Sequence, residues 1–283
     1  MSSDAAILTV VRAALAEDAP WGDVTSELFV PVDATARAEF NAREAGVFSG
    51  AAVLVATFTE VDPSITVDLR VADGNRFVAG DVLAVIEGNA RGVLRAERIA
   101  LNLVQRMSGI ATLTAEYVAL TAGTSARIAD TRKTTPGLRA LERQAVRDGG
   151  GRNHGFSLSD AVLAKDNHLA VLTAGGASVT DVIRAARERL GHTTHLEVEV
   201  DRLDQIEPVL AGGVDTIMLD NFSLEELRAG VALVAGRATI EASGGVNLGT
   251  VADIAATGVD VISVGALTHS VRALDLGLDV VLR

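Results

Sequence analysis

The sequence predicts an α/β protein centred on a (β/α) barrel, and three observations carry that expectation. Short apolar runs recur at residues 127–130, 161–164, 195–200, 215–219, 238–242 and 260–264. Helix-length segments at 178–190, 202–211, 223–235 and 248–257 separate the later runs. Strands and helices alternating at this spacing make a parallel sheet, and a succession of such units without a dinucleotide-binding glycine motif favours closure into a barrel. The composition agrees. The chain is 48% hydrophobic but only 3% aromatic, so its core is built from Ala, Val, Leu and Ile, as in a parallel sheet covered by helices on both faces.

Ahead of the barrel, residues 3–17 space their apolar side chains as an amphipathic helix that leads into an acidic turn at 17–23. Residues 35–42, 64–71 and 82–86 read as strands, with a helix over 51–58. Gly74 and Gly80 punctuate the connection between the last two strands. A long helix over 94–120 links this part to the barrel. The expected division is an N-terminal domain over 1–110 and a barrel over 111–268. The tail, 269–283, is expected to pack back on the N-terminal domain.

Several classes are disfavoured. Without cysteine there are no disulfides or thiolate metal sites. No apolar stretch reaches about 18 residues, so no transmembrane helix is expected. The acidic start is unlike a signal peptide, and a cytoplasmic protein is the default expectation. A net charge of −12 argues against nucleic-acid binding.

The same acidity makes the basic residues informative. Of 25 Lys and Arg residues only Lys133 and Lys165 are lysines, and Lys offers a compact point charge that Arg cannot. Each follows a short apolar run: Lys133 in IADTRKTTPGLR and Lys165 in SLSDAVLAKDNH. Catalytic groups of barrels lie at the C-terminal strand ends. Here those ends carry Arg132, Lys133, Lys165, Glu199, Asp220, Ser243 and Gly265. Ser243-Gly244-Gly245 ahead of a helix near Leu248 suits a phosphate. An acidic strand end can instead be a helix cap or a surface charge, a reading that is the minor one for Glu199 and Asp220 and weighs more for Glu197. His192, His195 and His269 lack metal-ligand spacing, and His168 suits a supporting role beside Lys165.

These segments resemble the quinolinate phosphoribosyltransferase family, in order and from about residue 10 to 280. EDAPWGDVTS, AREAGVFSG and LRAERIALNLVQRMSGIAT are followed by DTRKTTPGLR, AVRDGGGRNH, LSDAVLAKDNH, LEVEV, IMLDN, EASGGV and SVGALTHS. DTRKTTPG together with KDNH is highly specific. The resemblance implies an N-terminal α/β open sandwich joined to an irregular barrel, assembled as a homodimer with a shared site. It implies transfer of a phosphoribosyl group from phosphoribosyl pyrophosphate (PRPP) to quinolinate with decarboxylation, a step of NAD biosynthesis. Arg98 would reach into the partner's site, while Arg132, His154 and Lys165 hold the dicarboxylate. Lys133, Glu199, Asp220, Ser243, Gly244, Gly245 and Gly265 would surround PRPP. Mg²⁺ would sit on its pyrophosphate, with Glu199 and Asp220 as candidate ligands, and Lys133, Glu199 and Asp220 would be catalytic.

The chain departs from the family pattern in two places. Gly155 stands where an arginine usually follows Asn153-His154, and Asp148 precedes the Gly149–Gly151 run. The first leaves three readings open: Arg152 substitutes, the acceptor is another carboxylated heterocycle, or the glycine is an engineered or damaged position. A non-catalytic binder of a phosphorylated ligand is the alternative from a different class. The three glycines read equally as a mobile loop over the substrate or as an ordinary turn.

Overall fold

The structure is a computed structural model that describes residues 4–282. Ser3, with which the expected first helix begins, and the outermost residues 1–3 and 283 of the two domain ranges lie outside the described residues. The chain folds as two compact units. The first comprises Met1–Ala115, Thr134–Gly150 and Leu267–Arg283; the second comprises Glu116–Lys133 and Gly151–Ala266.

In the first unit, an antiparallel four-stranded sheet is organised around one strand whose burial alternates strictly. Along Thr35–Ala42 the side chains of Ala36, Ala38, Phe40 and Ala42 are buried and those between them are not. A period of two lines one face of a strand, so this strand turns a single apolar face to the core. It lies between Leu276–Leu282 and Val82–Asn89, and Thr66–Leu69 pairs on the far side of the latter. The C-terminal strand is therefore an edge of the N-terminal sheet. Phe48, Leu54 and Phe58 join Phe40 in the same core.

The helix after Val82–Asn89 is longer than its periodicity indicates. It runs Ala90–Leu120, beginning as soon as the strand ends. Two helices that sequence periodicity does not single out also belong to this unit. Val24–Phe29 is capped by Asp23, whose carboxylate accepts from the amides of Thr25 and Ser26. Arg139–Asp148 ends at Gly149. A Cβ on Gly149 would lie 2.4 Å from the Ala111 carbonyl oxygen, so this glycine serves close packing rather than a mobile loop. Asp148 accepts a hydrogen bond from the Ser49 hydroxyl at 2.6 Å, and burial pushes its carboxyl above the usual range.

The second unit holds six parallel strands in the order 127–129, 261–263, 239–243, 216–220, 196–200 and 162–164. The ladder is not closed: among the described residues, Arg127–Ala129 and Val162–Ala164 do not pair with each other. Closure expected from spacing thus gives way to an irregular barrel, because the chain between those strands contributes Thr134–Gly150 to the first unit. Arg152 takes up part of the gap through an isolated parallel bridge to Ala129. Crossover helices are fixed by local capping. Ser223 and Glu226 form a reciprocal capping box, and Ser178 caps Val179–Arg189. The expected helix over 202–211 is split into a 3₁₀ turn, Leu203–Gln205, and Ile206–Ala211.

At the start of the C-terminal strand, Glu44 accepts both Arg272 guanidinium nitrogens at 2.7 and 2.6 Å and the Asp275 amide at 2.7 Å. Arg272, then the Asp275 amide, hold its carboxyl down at about 2. The folded value is below the unfolded one, so this stability is present above the ordinary glutamate pKa and lost as pH falls toward 2. The pair is largely solvated, which limits it to about 1 kcal/mol or less. Replacing Glu44 by Gln should flatten the acid limb of stability between about pH 4.5 and 2, while leaving the midpoint at neutral pH lowered by only a few degrees at most. Urea melts at stepped pH read both effects.

Candidate active site in the barrel

The residues at the C-terminal ends of the barrel strands share one cavity of about 830 Å³. Parallel pairing makes this unavoidable, since every strand ends on the same rim. Arg132 and Lys133 come from the segment after Arg127–Ala129, and Lys165 directly follows Val162–Ala164. Glu199 lies near the end of Leu196–Val200, Asp220 ends Thr216–Asp220 and Ser243 ends Thr239–Ser243; all three line the cavity. His154 and Gly155 enter from the segment that follows the Arg152 bridge.

Opposite charges are already matched at the rim. The Lys165 ammonium pairs with the Glu199 carboxylate, and the Lys165 amide donates to His168 Nδ1 at 3.1 Å. Asp220 accepts from the Asn221 side-chain amide at 2.7 Å. Asn221 itself adopts a left-handed backbone, φ 59°, secured by its amide donating to the Ser243 carbonyl at 2.9 Å. That approach explains Gly244. A Cβ there would lie 2.1 Å from Asn221 Oδ1, and its φ of +90° is one that glycine accepts readily.

Below the rim lies a second layer. Glu197 is two residues before Glu199 on an extended strand and so shares its face. His154 Nε2 stands 3.1 Å from Glu197 Oε2 and 3.6 Å from Glu241 Oε2. His154 Nδ1 accepts the Gly155 amide at 2.8 Å, which places the ring proton on Nε2, facing the two carboxyls. Hydrogen bonding to Glu197 raises the proton affinity of His154, against the effect of burial. Burial, followed by the charge of Glu197, pushes the Glu241 carboxyl up to about 7. One ligand atom from each of His154, Glu197 and Glu241 lies within 4.8 Å of the others, a spacing that could hold a divalent ion.

Asp130 fixes the approach to this layer. Fully buried, it accepts from the Asn153 side chain at 2.6 Å and from the His154 amide at 2.7 Å. Its own amide donates to the Arg152 carbonyl. Asn153 thereby ties the segment that carries His154 to Asp130.

Not every expected residue reaches the cavity wall. Gly244, Gly245 and Gly265 are absent from its lining, although Gly244 sets the rim through Asn221. The helix expected near Leu248 starts only at Val251, so no helix N-terminus directly follows Ser243-Gly244-Gly245; Gly244 and Gly245 take positive φ values in a turn instead. Arg98 is exposed on the Ala90–Leu120 helix of the first unit. Sequence reasoning undervalued Glu197 and passed over Glu241 and Ser263. The available signal was an acidic residue inside an apolar strand run, in LEVEV and in TIEAS.

A model described as quinolinate phosphoribosyl transferase, N-terminal domain, matches residues 23–108, and one for the C-terminal domain matches residues 110–279. The chain belongs to the quinolinate phosphoribosyltransferase family. It is 45% identical over 275 residues to the nicotinate-nucleotide pyrophosphorylase [carboxylating] of Mycobacterium leprae (strain TN), covering 95% of each chain. It is 41% identical over 266 residues to a probable nicotinate-nucleotide pyrophosphorylase [carboxylating] of Bacillus subtilis (strain 168), covering 94% of this chain and 90% of that one. Among solved structures, NadC from Streptococcus pyogenes superposes with a TM-score of 0.92 at 40% identity, covering 96% of this chain and 95% of that one. Membership of this family accounts for a cavity that combines cations with carboxylates.

Replacing Asp130 by Ala removes the acceptor for two partly buried donors. Hydrogen bonds to a charged group contribute roughly 1.5–3 kcal/mol each, so we expect a loss of about 3 kcal/mol in urea unfolding. An unchanged midpoint would mean that the segment carrying His154 does not depend on this carboxylate.

Proposed function

We propose that this chain transfers the phosphoribosyl group of PRPP to quinolinate and decarboxylates the product, releasing nicotinate mononucleotide, pyrophosphate and CO₂. What supports the reading most directly is that Lys133, Lys165, Glu199, Asp220 and Ser243 line one cavity in a chain of this family.

The chemistry follows from charge. The pyridine nitrogen attacks the anomeric carbon, the carbon–oxygen bond to pyrophosphate breaks, and the leaving group takes the electron pair. Positive charge grows on the ribose ring, where the Glu199 and Asp220 carboxylates hold the hydroxyls and offset it. Lys133 meets the charge of the leaving pyrophosphate. Arg132 and Lys165 hold acceptor carboxylates, so Lys165 exchanges its contact with Glu199 for one with substrate. Ser243 meets the terminal phosphate at the rim, in a turn whose tightness Gly244 and Gly245 permit. Holding both reactants in register supplies several kcal/mol of the barrier. The ribosylated nitrogen is cationic, so when the 2-carboxylate leaves as CO₂ its electron pair is stabilised on the adjacent carbon and then takes a proton.

Mg²⁺ on the pyrophosphate of PRPP supplies further neutralisation of the leaving charge. The carboxylate oxygens of Glu199 and Asp220 at the rim are the donor type this ion prefers.

The working molecule is a homodimer in which Arg98 of a second copy completes the site. Trp21, Leu28 and Phe29 are at least 73% exposed on the first unit, an apolar surface suited to such a contact. No helix among the described residues is long and apolar enough to cross a membrane, which suits work in the cytoplasm. Functionally, residues 1–110 with 269–283 form the N-terminal domain and residues 111–268 the barrel.

A second reading has one observation in its favour. Gly155 lines the cavity with open space where a Cβ would sit, and both ring nitrogens of His154 are engaged within the protein. A different carboxylated heterocycle could fill that space.

Incubation with quinolinate, PRPP and Mg²⁺ should yield nicotinate mononucleotide and CO₂. Tight PRPP binding with no product would sink the quinolinate assignment. If Gly155 limits acceptor affinity, Gly155→Arg should lower the quinolinate KM by ~10–100-fold, the effect of one charge-assisted contact; an unchanged or higher KM would count against this role.

A further inference from the structure

The deep layer of the cavity carries buried polar atoms that lack a well-formed hydrogen bond. Glu197 and Glu241 are 5% and 4% exposed, and one oxygen of each, Oε1, has no hydrogen-bond partner. The Ser263 hydroxyl is 4% exposed, lines the same cavity and also lacks a well-formed hydrogen bond, although it lies beside Glu241. Buried polar atoms are rarely left this way. An isolated orphan costs about 1–3 kcal/mol and a charged one more. Three within one cavity point to a missing occupant with positive character.

We propose that His154, Glu197 and Glu241 bind one divalent cation of the borderline first-row class, such as Zn²⁺ or Co²⁺, at a site separate from the Mg²⁺ that accompanies PRPP. The donor set decides the class. One imidazole nitrogen with two carboxylates suits ions that accept nitrogen, whereas Mg²⁺ favours an octahedral shell of oxygens and keeps its waters. The ligand atoms are already within 4.8 Å of one another.

Binding replaces the Nε2 proton by the metal. The remaining ring proton then sits on Nδ1, and the Gly155 amide that now points at Nδ1 turns away. A Cβ at Gly155 would meet nothing within 4 Å, so the peptide has room for that turn. Ser263, which lies beside Glu241, is the positioning residue: with the ion bound its hydroxyl donates to that ligand carboxylate, as groups around metal sites do. Three protein ligands leave coordination positions open toward the cavity. Using them to hold an acceptor carboxylate, and so offset two buried glutamates near a dianionic substrate, rests on the reaction proposed above; binding of the ion does not.

The test is therefore run without substrates. Protein stripped with chelator is titrated with Co²⁺ in excess Mg²⁺, followed by its visible absorption, and then challenged with Zn²⁺. We expect one Co²⁺ per chain, displaced by Zn²⁺ and not by Mg²⁺. The isosteric Glu241→Gln, which removes a ligand, should weaken binding by more than ~100-fold, and Ser263→Ala by about tenfold, the lower end of the range for groups that support the ligands of a metal. Circular dichroism confirms that each variant is folded; should Glu241→Gln fail to fold, the affinity of Ser263→Ala decides between the outcomes. Equal Co²⁺ affinity in wild type and folded variant, or displacement by Mg²⁺, overturns the site. Failed turnover with quinolinate leaves Co²⁺ binding untouched, so the two readings fail separately.

Discussion

Burying carboxyl groups inside a parallel barrel is the constraint on which the rest of the site depends. Glu197 and Glu241 sit where most barrels place apolar side chains, and an isolated carboxylate there is costly. Their proximity forces a shared solution. Glu241 holds its proton to about pH 7, and His154 turns its Nε2 toward both. That orientation is imposed from behind, because Asp130 grips the His154 backbone and Asn153. The rim groups inherit their positions from the same strands. Glu199 is aimed into the cavity because it shares a strand face with Glu197, and Ser243 shares one with Glu241.

The opposite end of the barrel shows what the active end gives up. There Arg187 forms a two-pronged pair with Asp215 at 2.6 and 2.8 Å, and Asp215 also accepts the Leu196 amide. Asp260 accepts the Ile240 amide in the same manner. These charges are satisfied by their neighbours: the first pair joins a helix to a strand, the second joins two neighbouring strands. At the active end the charges are only partly satisfied. Lys165 and Glu199 pair with each other at the rim, where both also face the open cavity. A site of this kind holds its charge ready at some expense of stability.

Much of the barrel was legible from the chain. Runs such as LEVEV and TIMLD pair an apolar period with a charged terminus, and both became strands ending at the cavity. Lys133 and Lys165 stood out by chemistry in an arginine-rich chain, and both line it. Other features left little local trace. The Arg139–Asp148 helix is strongly polar in sequence, and the burial of Leu141, Ala145 and Val146 comes from the first unit to which it belongs. Glu241 and Ser263 looked like ordinary strand residues, because no local signal says that two strands will bring them beside one histidine.

The sequence by itself determined the alternation of strands and helices, the polarity of each strand end and the residue types available for chemistry. These are local properties, set by side-chain periodicity and turn-forming residues. The tertiary structure alone decided that the ladder stays open between Arg127–Ala129 and Val162–Ala164, and that Leu276–Leu282 completes the N-terminal sheet. It also decided that His154, Glu197 and Glu241 meet. Such contacts join residues far apart in the chain, and their energies arise from desolvation and mutual charge, which exist only once the barrel has excluded water from its interior.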